Sequence, residues 1–201
     1  DSKRSESVTL YDLNNKFIAF SSVFEPIAAV CAEWDTLHVI TKSGKAFALT
    51  EKDLPAKMQV LKKKHLYAIA VALAKSEGRD RSFIMQIHKQ SADHKKNKGD
   101  YAGAMKDYLR TIGHVEPSYV IRQFLDAQRI AHLTTFLEAL HDRQMANQDH
   151  TTLLLKCYTK LKAPEKLEAF IKQPDAKFDE ATAIQVCHQA GCFKQALFLA
   201  K

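Results

Sequence analysis

The sequence has 201 residues, of which 46% are hydrophobic and 26% charged, with a formal net charge of +7. These proportions are ordinary for a soluble globular protein, and the length suffices for one buried core, or for one domain plus a fragment of another. The apolar run around residues 67–74 is far shorter than the roughly 20 residues that cross a bilayer, so no membrane span is predicted.

Cysteine usage and the first residues indicate a reducing compartment. The four cysteines show no paired spacing, which predicts small buried side chains and not a disulfide framework. They are Cys31, Cys157, Cys187 and Cys192. No signal-peptide pattern opens the chain, so we expect a cytosolic protein.

The first fifty residues have the alternating pattern of β-strands. Strands are predicted at residues 8–13, 16–23, 27–34, 37–41 and 46–49, with turns at Asn14-Asn15 and Ser43-Gly44. Because the strands follow one another closely, an antiparallel meander is the simplest topology. Such a small sheet leaves an apolar face and two edges open. Either the first helices cover it, or it is the remainder of a larger β-domain, and we favour the second interpretation.

Helical periodicity follows from residue 54 to the end. Glycines mark the predicted stops and prolines the predicted starts, as at Gly99, Gly113, Pro117 and Pro164. The predicted spans are 54–63, 65–76, 80–97, 100–112, 117–126, 129–142, 149–161, 164–172, 179–190 and 192–201.

One short pattern of an aromatic or leucine followed by small and apolar residues recurs along these helices. It begins at residues 67, 101, 133, 167 and 193, so the steps are 34, 32, 34 and 26 residues. This period is typical of helix-pair solenoids, in which small residues let neighbouring helices approach closely. A globular helical bundle with chance regularity is the alternative.

The repeat predicts which side chains pack between helices. Small residues should face a neighbouring helix directly, and large apolar residues should fill the space between pairs. The predicted packing residues are Ala70, Ala104, Tyr108, Phe124, Leu125, Leu137 and Ala196. In the helix around residues 119–125, we expect Arg122 and Gln123 to be outermost. The last unit should leave Leu197 and Phe198 on an exposed seam.

Positive charge is concentrated in two short clusters at predicted helix ends. One contains Lys62, Lys63, Lys64 and His65, and the other runs through residues 94–98. Cations there complement the helix dipole, so solvated helix ends are the simplest interpretation. The alternative is contact with an acidic partner or an anionic membrane surface. Nucleic acid is not expected as a partner, because no recognised binding motif accompanies the clusters.

The sequence offers no pattern for catalysis or for a cofactor. It lacks the glycine-rich phosphate loops and the GxSxG nucleophile elbow, and its histidines lack the spacing of a zinc helix. Cys187, His188 and Cys192 lie close together but lack a second ligand pair. We therefore expect no metal, no cofactor and no enzyme activity.

Several longer segments of the sequence point to a protein family more specifically than the repeat period does. The segments YDLNNKFIAF, EKD, YLRTIG, EPSYVIRQFLDAQRI and DHTTLLLKCYTKL closely resemble the vacuolar protein sorting-associated protein eleven family. The resemblance implies that residues 1–50 are the C-terminal part of an N-terminal β-propeller. It also implies that residues 51–201 begin an α-solenoid of clathrin-heavy-chain-repeat type. The expected fold is therefore mainly α, preceded by a partial antiparallel sheet.

The same resemblance implies a function. The family provides a core subunit of the HOPS and CORVET endolysosomal tethering complexes, so the implied role is a non-enzymatic scaffold in vesicle docking and fusion. The implied partners are other tethering-complex subunits and, indirectly, Rab GTPases and SNAREs. The implied location is peripheral, on late endosome, lysosome or vacuole membranes. The family's terminal RING zinc domain has no counterpart in this sequence. The alternative is a tetratricopeptide-like adaptor that binds a linear peptide.

Overall fold

A computed structural model describes residues 5–13, 16–172, 180–189, 191 and 193. It is mainly helical, with two small antiparallel sheets preceding the helices, as expected for an α-solenoid that follows β-structure. The contacts divide the chain into two compact units, residues 1–78 and 79–201. The predicted domain boundary at residue 50 stays a prediction. Each unit is described separately.

The first unit contains five strands in two sheets. Their bounds are β1 Glu6–Asp12, β2 Phe17–Phe24, β3 Ile27–Glu33, β4 Thr36–Thr41 and β5 Ala46–Thr50. β1 pairs with β2, with an irregularity between Leu10 and Tyr11. The other sheet has the order β3-β4-β5, with Val39 of β4 opposite Val30 and Phe47. The Asn14-Asn15 turn lies outside the described residues.

The single five-stranded meander predicted from the sequence is wrong, because β2 and β3 do not pair. Pro26 lies between them and has no N–H to donate to a ladder. The next amide, on Ile27, donates to the Glu6 side chain at 3.0 Å and not to β2. The ladder therefore stops at this connection, and a new sheet starts.

Large apolar side chains of the first unit are exposed on the sheets. Val39 is fully buried, but Val30 is exposed, and Trp34 has 89% of its surface exposed. Trp34 and Asp35 have φ angles of 49° and 57°, so β3 ends at Glu33 and both residues form the turn into β4. Cys31 is also exposed, which contradicts the prediction of a buried side chain, because successive β3 residues from Ala28 to Glu33 are exposed on both faces.

Helices α1 and α2 complete the first unit, and seven further helices lie in the described residues of the second. The bounds are α1 Leu54–Lys63, α2 Tyr67–Ser76, α3 Arg81–Asn97, α4 Tyr101–Arg110, α5 Pro117–Phe124, α6 Ile130–Asp142, α7 Gln148–Lys160, α8 Pro164–Ile171 and α9 Glu180–Gln189. A 3-10 turn at Ala127–Arg129 precedes α6. Apart from Phe193, the predicted helix at residues 192–201 lies outside the described residues, and so do its packing residue Ala196, its seam residues Leu197 and Phe198, and Cys192.

Local chemistry sets the helix ends. The Asp53 carboxylate accepts from the Ala56 amide at 3.1 Å to start α1, and Asp100 accepts from the Gly103 amide at 2.8 Å to start α4. After α4, Gly113 has a φ of +91°, a conformation that side chains with a Cβ rarely adopt. This glycine turns the chain toward Pro117, which begins α5 without an N–H to lose.

The second unit has one hydrophobic core to which α3–α9 contribute. Its apolar residues lie mainly on α4, α5, α6 and α7, and α8 and α9 extend it. Helix α4 packs against α3 and α6, and α7 packs against α6, α8 and α9. Each described helix thus contacts its near neighbours in the chain, which is the arrangement of a stack.

Candidate functional site

The predicted packing residues of the second unit meet in one place. Ala104, Tyr108, Phe124 and Leu137 are all fully buried and belong to the same core cluster. The rings of Tyr108 and Phe124 are 5.9 Å apart at an interplanar angle of 89°, an edge-to-face contact between α4 and α5. Ala104 presents no side chain beyond Cβ, so it can lie against its neighbours without displacing these rings.

Three other predicted packing residues lie elsewhere. Ala70 is fully buried, but in the first unit, and Ala196 lies outside the described residues. Leu125 departs from the expectation, since 58% of its surface is exposed. Helix α5 ends at Phe124, so Leu125 leaves the buried face of the helix as the chain turns toward Asp126.

The side chains expected to be outermost on α5 are placed differently from each other. Arg122 is exposed. Gln123 is half-buried, and its Oε1 atom accepts a hydrogen bond from the Lys96 ammonium of α3. A polar contact therefore joins α3 to α5 at a position that the apolar spacing did not reveal.

The carboxylate of Asp107 on α4 is buried and has four partners. Its Oδ2 atom accepts from the Ser91 hydroxyl at 2.7 Å and from the Lys95 ammonium at 2.6 Å. Its Oδ1 atom lies 3.2 Å from Nη1 of Arg110 and 3.3 Å from Nδ1 of His88. Ser91, Lys95 and His88 all belong to α3, so this one carboxylate fixes how α3 lies against α4.

The surroundings of Asp107 keep it ionised. Burial by itself raises the pKa of the carboxyl group, because it penalises the charged form. The hydrogen bonds from Lys95 and Ser91, with the electrostatic effects of Lys95 and then His88, together lower the pKa by more, so the net shift is downward. The folded state therefore favours the carboxylate over the carboxylic acid.

A second carboxylate, Asp93 of α3, binds two phenols. The hydroxyl groups of Tyr108 and Tyr119 both donate to its Oδ1 atom, Tyr119 at 2.9 Å. Burial and then Asp93 raise the pKa of Tyr108 well above its ordinary value, and the same causes raise the pKa of Tyr119 to about 12. Both phenols thus stay protonated donors, and Lys89 lies over the Tyr119 ring at 4.1 Å.

Polar contacts also lie between α6 and the helices that follow. Glu138 accepts from the Tyr158 hydroxyl and from the Lys166 ammonium, each at 3.0 Å. Burial and Glu138 raise the pKa of Tyr158 above its ordinary value. This carboxylate therefore links α6 to α7 and α8.

Two histidines flank the turn between α6 and α7. The Asn147 side chain accepts from the His150 amide at 2.9 Å, and Nδ1 of His150 lies 3.2 Å from the Asn147 amide, which together form a capping box. Burial lowers the pKa of His150, and burial and the nearby His150 lower the pKa of His141. Both shifts favour neutral imidazoles.

The buried carboxylate of Asp107 was missed in the sequence, although one signal was present. Asp107 follows Ala104 by three residues and precedes Tyr108, so it lies on the apolar face of α4. A charged residue in that position needs a partner. That partner could not be read from the sequence, because Ser91 and Lys95 belong to a different helix.

The structure changes the interpretation of the second basic cluster. Lys95 and Lys96 are not simply solvated, since they bind Asp107 and Gln123.

In the described residues, no group of three His, Cys, Asp or Glu side chains is arranged to hold a metal ion. No helix in the part of the chain that the structure describes is long and apolar enough to cross a membrane.

Comparison with known proteins identifies the family. The PEP5/VPS11 clathrin repeat family model matches residues 96–201, more than half of the chain. The chain belongs to the PEP5/VPS11 family. The match includes α4–α9 and therefore most of the core cluster that contains Ala104, Tyr108, Phe124 and Leu137.

Curated PEP5/VPS11 relatives match across almost the whole sequence. The vacuolar protein sorting-associated protein 11 homolog of Homo sapiens is 52% identical over 206 residues, covering 100% of this chain. The homolog of Dictyostelium discoideum is 48% identical over 197 residues, covering 98%. That of Arabidopsis thaliana is 43% identical over 206 residues, covering 100%. The chain spans only 21–22% of the length of these relatives.

Proposed function

We propose that this chain is a non-enzymatic scaffold segment of an endosomal, lysosomal or vacuolar membrane-tethering complex that acts in vesicle docking and fusion. The observation that carries the proposal is the core to which α3–α9 contribute, most of which lies within the matched clathrin repeat. Neighbouring helices that share a core resist bending, and a scaffold segment requires this rigidity. The relatives are named for vacuolar protein sorting, and this supports the setting of the proposal.

The use of the reactive side chains supports a scaffold over an enzyme. Asp107 is bound by cations and a hydroxyl, Asp93 by two phenols, and Glu138 by a phenol and a lysine. Each carboxylate joins one helix to another. His150 caps α7. These groups are therefore engaged in holding the stack together.

We extend the proposal to the organisation of the longer protein. Residues 1–50 are the C-terminal part of an N-terminal β-propeller, and residues 51–201 begin an α-solenoid. The exposed apolar side chains of the sheets, among them Trp34, support this, because a further part of a propeller would cover them. Other tethering-complex subunits are the direct partners. Rab GTPases and SNAREs are engaged indirectly, and association with late endosome, lysosome or vacuole membranes is peripheral.

A tetratricopeptide-like adaptor that binds a linear peptide is the alternative function. Such a groove needs Asn, Lys or Arg side chains that converge on the inner helices. The predicted inner positions Ala104, Tyr108, Phe124 and Leu137 are instead buried against other helices. Their burial favours the scaffold.

The scaffold proposal is tested in the full-length protein with Phe124→Ala and its matched control Arg122→Ala on the same helix. Truncating the fully buried Phe124 should cost roughly 3–5 kcal/mol of stability. Co-purification of the other complex subunits and clustering of vesicles should fall together, while the exposed Arg122 tolerates substitution. Turnover of nucleotide or peptide by the folded chain would contradict the proposal, as would normal clustering by an unfolded Phe124→Ala protein.

A further inference from the structure

On α3 and α4, most basic side chains reach solvent, whereas the acidic side chains are engaged between the helices. The two helices carry six Lys and Arg residues and two acidic residues. Both acidic residues, Asp93 and Asp107, are bound by side chains inside the helix packing. Most of the basic residues reach solvent. The surface formed by these helices is therefore cationic.

Asp107 also brings two of the cations together. It contacts the Lys95 ammonium at 2.6 Å and Nη1 of Arg110 at 3.2 Å, one on each carboxylate oxygen. The side chain of Asp107 is 5% exposed, whereas those of Lys95 and Arg110 are 39% and 61% exposed. One buried negative charge thus orients two cations at the surface and leaves a net positive charge there.

Further basic residues extend this surface. Lys106 precedes Arg110 by four residues on α4, so the two side chains lie on the same side of the helix, and both are exposed. Lys98 is exposed at the end of α3. We call Lys95, Lys98, Lys106 and Arg110 the cationic surface.

Large apolar side chains are not part of this surface. Among the described residues from 67 to 124, no large hydrophobic side chain is exposed. Binding to a membrane usually adds apolar side chains that insert below the headgroups, and binding to single-stranded nucleic acid adds exposed aromatic rings. The cationic surface offers mainly positive charge and hydrogen-bond donors, and the nearby Asp100 carboxylate is engaged in the cap of α4. This combination suits a carboxylate-rich protein segment better.

We propose that the cationic surface binds an acidic segment of a partner protein. Arg110 has five N–H donors and binds Asp107 through Nη1, so its other donors can bind a partner carboxylate in the planar geometry that guanidinium favours. Lys95 is already oriented by Asp107, so less side-chain freedom is lost on binding. This interaction goes beyond the scaffold role and does not depend on it.

The test is fluorescence anisotropy of a short fluorescein-labelled peptide of alternating Glu and Ser, added to the 201-residue chain at about 0.15 M salt, where the Debye length is about 8 Å. The double variant Lys106→Glu/Arg110→Glu should weaken binding by about tenfold or more, because it reverses two contact charges. Its matched control is Lys156→Glu/Lys160→Glu, which makes the same charge change at the same spacing on α7, also at exposed positions. The control should change the affinity by no more than about twofold, since distant exposed charges are screened.

A second variant separates the loss of contact charges from unfolding at the Asp107 cluster. Lys98→Glu/Lys106→Glu leaves the four partners of Asp107 in place and should also weaken peptide binding, with an unchanged circular dichroism spectrum. Equal weakening by the α7 control would overturn the proposal, because attraction would then follow net charge alone. Equal binding of a peptide with Gln in place of Glu would overturn it too. If phosphatidylserine vesicles bind more tightly than the acidic peptide, and Lys106→Glu/Arg110→Glu abolishes that binding, the surface binds a membrane and the proposal is overturned.

Discussion

Individual buried residues determine how closely the helices of the stack approach. Ala104 and Ala102 are two residues apart on α4, but Ala104 is fully buried and Ala102 is exposed. This pair separates the effect of packing from that of helix propensity, because the same substitution at either position changes the helix itself by a similar amount.

We expect Ala104→Glu to destabilise the protein by roughly 1–4 kcal/mol, through overpacking and burial of a charge. Ala102→Glu should change stability by less than about 0.5 kcal/mol, as is usual for surface substitutions. Denaturant unfolding followed by circular dichroism measures both. Similar losses for the two variants would mean that the buried face of α4 has been misplaced.

The second residue-scale prediction concerns Asp107. Asp107→Asn removes the buried charge that the solvent-accessible Lys95 and Arg110 side chains face and should cost roughly 1–3 kcal/mol, the usual contribution of hydrogen bonds to a charged group. Asp149→Asn, at an exposed position in the first turn of α7, is the control and should cost less than about 1 kcal/mol, the usual size of a charge–dipole effect.

The cost of Asp107→Asn should also depend on pH. Because the folded state lowers the pKa of Asp107, its contribution is complete above the unfolded value of about 3.9 and is lost as the pH falls through the folded value. The difference in unfolding free energy between the wild type and the variant should therefore shrink in acid. A difference that stays constant from neutral pH to the acid limit would show that the charge of Asp107 is not what stabilises the contact.

At the scale of elements, the turn between α6 and α7 is sensitive to pH because its cap contains a histidine. Nδ1 of His150 must be unprotonated to accept from the Asn147 amide. Lowered pKa values of His150 and His141 mean that the neutral forms stabilise the fold. This contribution is present above the unfolded pKa of about 6.5 and is lost as the pH falls through the lower folded values.

We expect His150→Glu to reduce the loss of stability between neutral and mildly acidic pH by about 1 kcal/mol, the usual size of a helix cap. Glutamate at this position can still accept from the Asn147 amide, since it is the common residue in a capping box. The melting temperature across this pH range measures the effect. His114→Gln, at an exposed position, should leave the pH profile unchanged. An unaltered profile in His150→Glu would exclude the cap as the source.

The ends of helices and strands were predictable from the sequence where nearby residues in the chain determine them. Gly113 and Pro117 bound α4 and α5, and the predicted helices agree with the described ones to within a few residues. The break between β2 and β3 was not predictable, because the Ile27 amide binds Glu6, 21 residues away. Leu125 was misplaced because apolar spacing continues past the point where α5 ends. The Asp107 cluster depends on which faces of two helices meet, which periodicity does not specify.

At the scale of the whole molecule, the division into two units predicts where the chain can be cut. A fragment of residues 79–201 contains the complete second unit and should unfold cooperatively by circular dichroism. A fragment that begins at residue 126 lacks α4 and α5, which both pack against α6, so it should lose much of its helical signal. Equal cooperativity of the two fragments would show that the core is not shared across α4, α5 and α6.

The position of Trp34 has an optical consequence. It is the single tryptophan of the chain, it lies in the first unit, and 89% of its surface is exposed. Its emission is therefore that of a solvated indole before any unfolding begins, and melting of the helical stack should leave it almost unchanged. Burial of the turn by a neighbouring protein would shift the emission to the blue. Tryptophan fluorescence thus reports contacts of the sheets and not the stability of the helices.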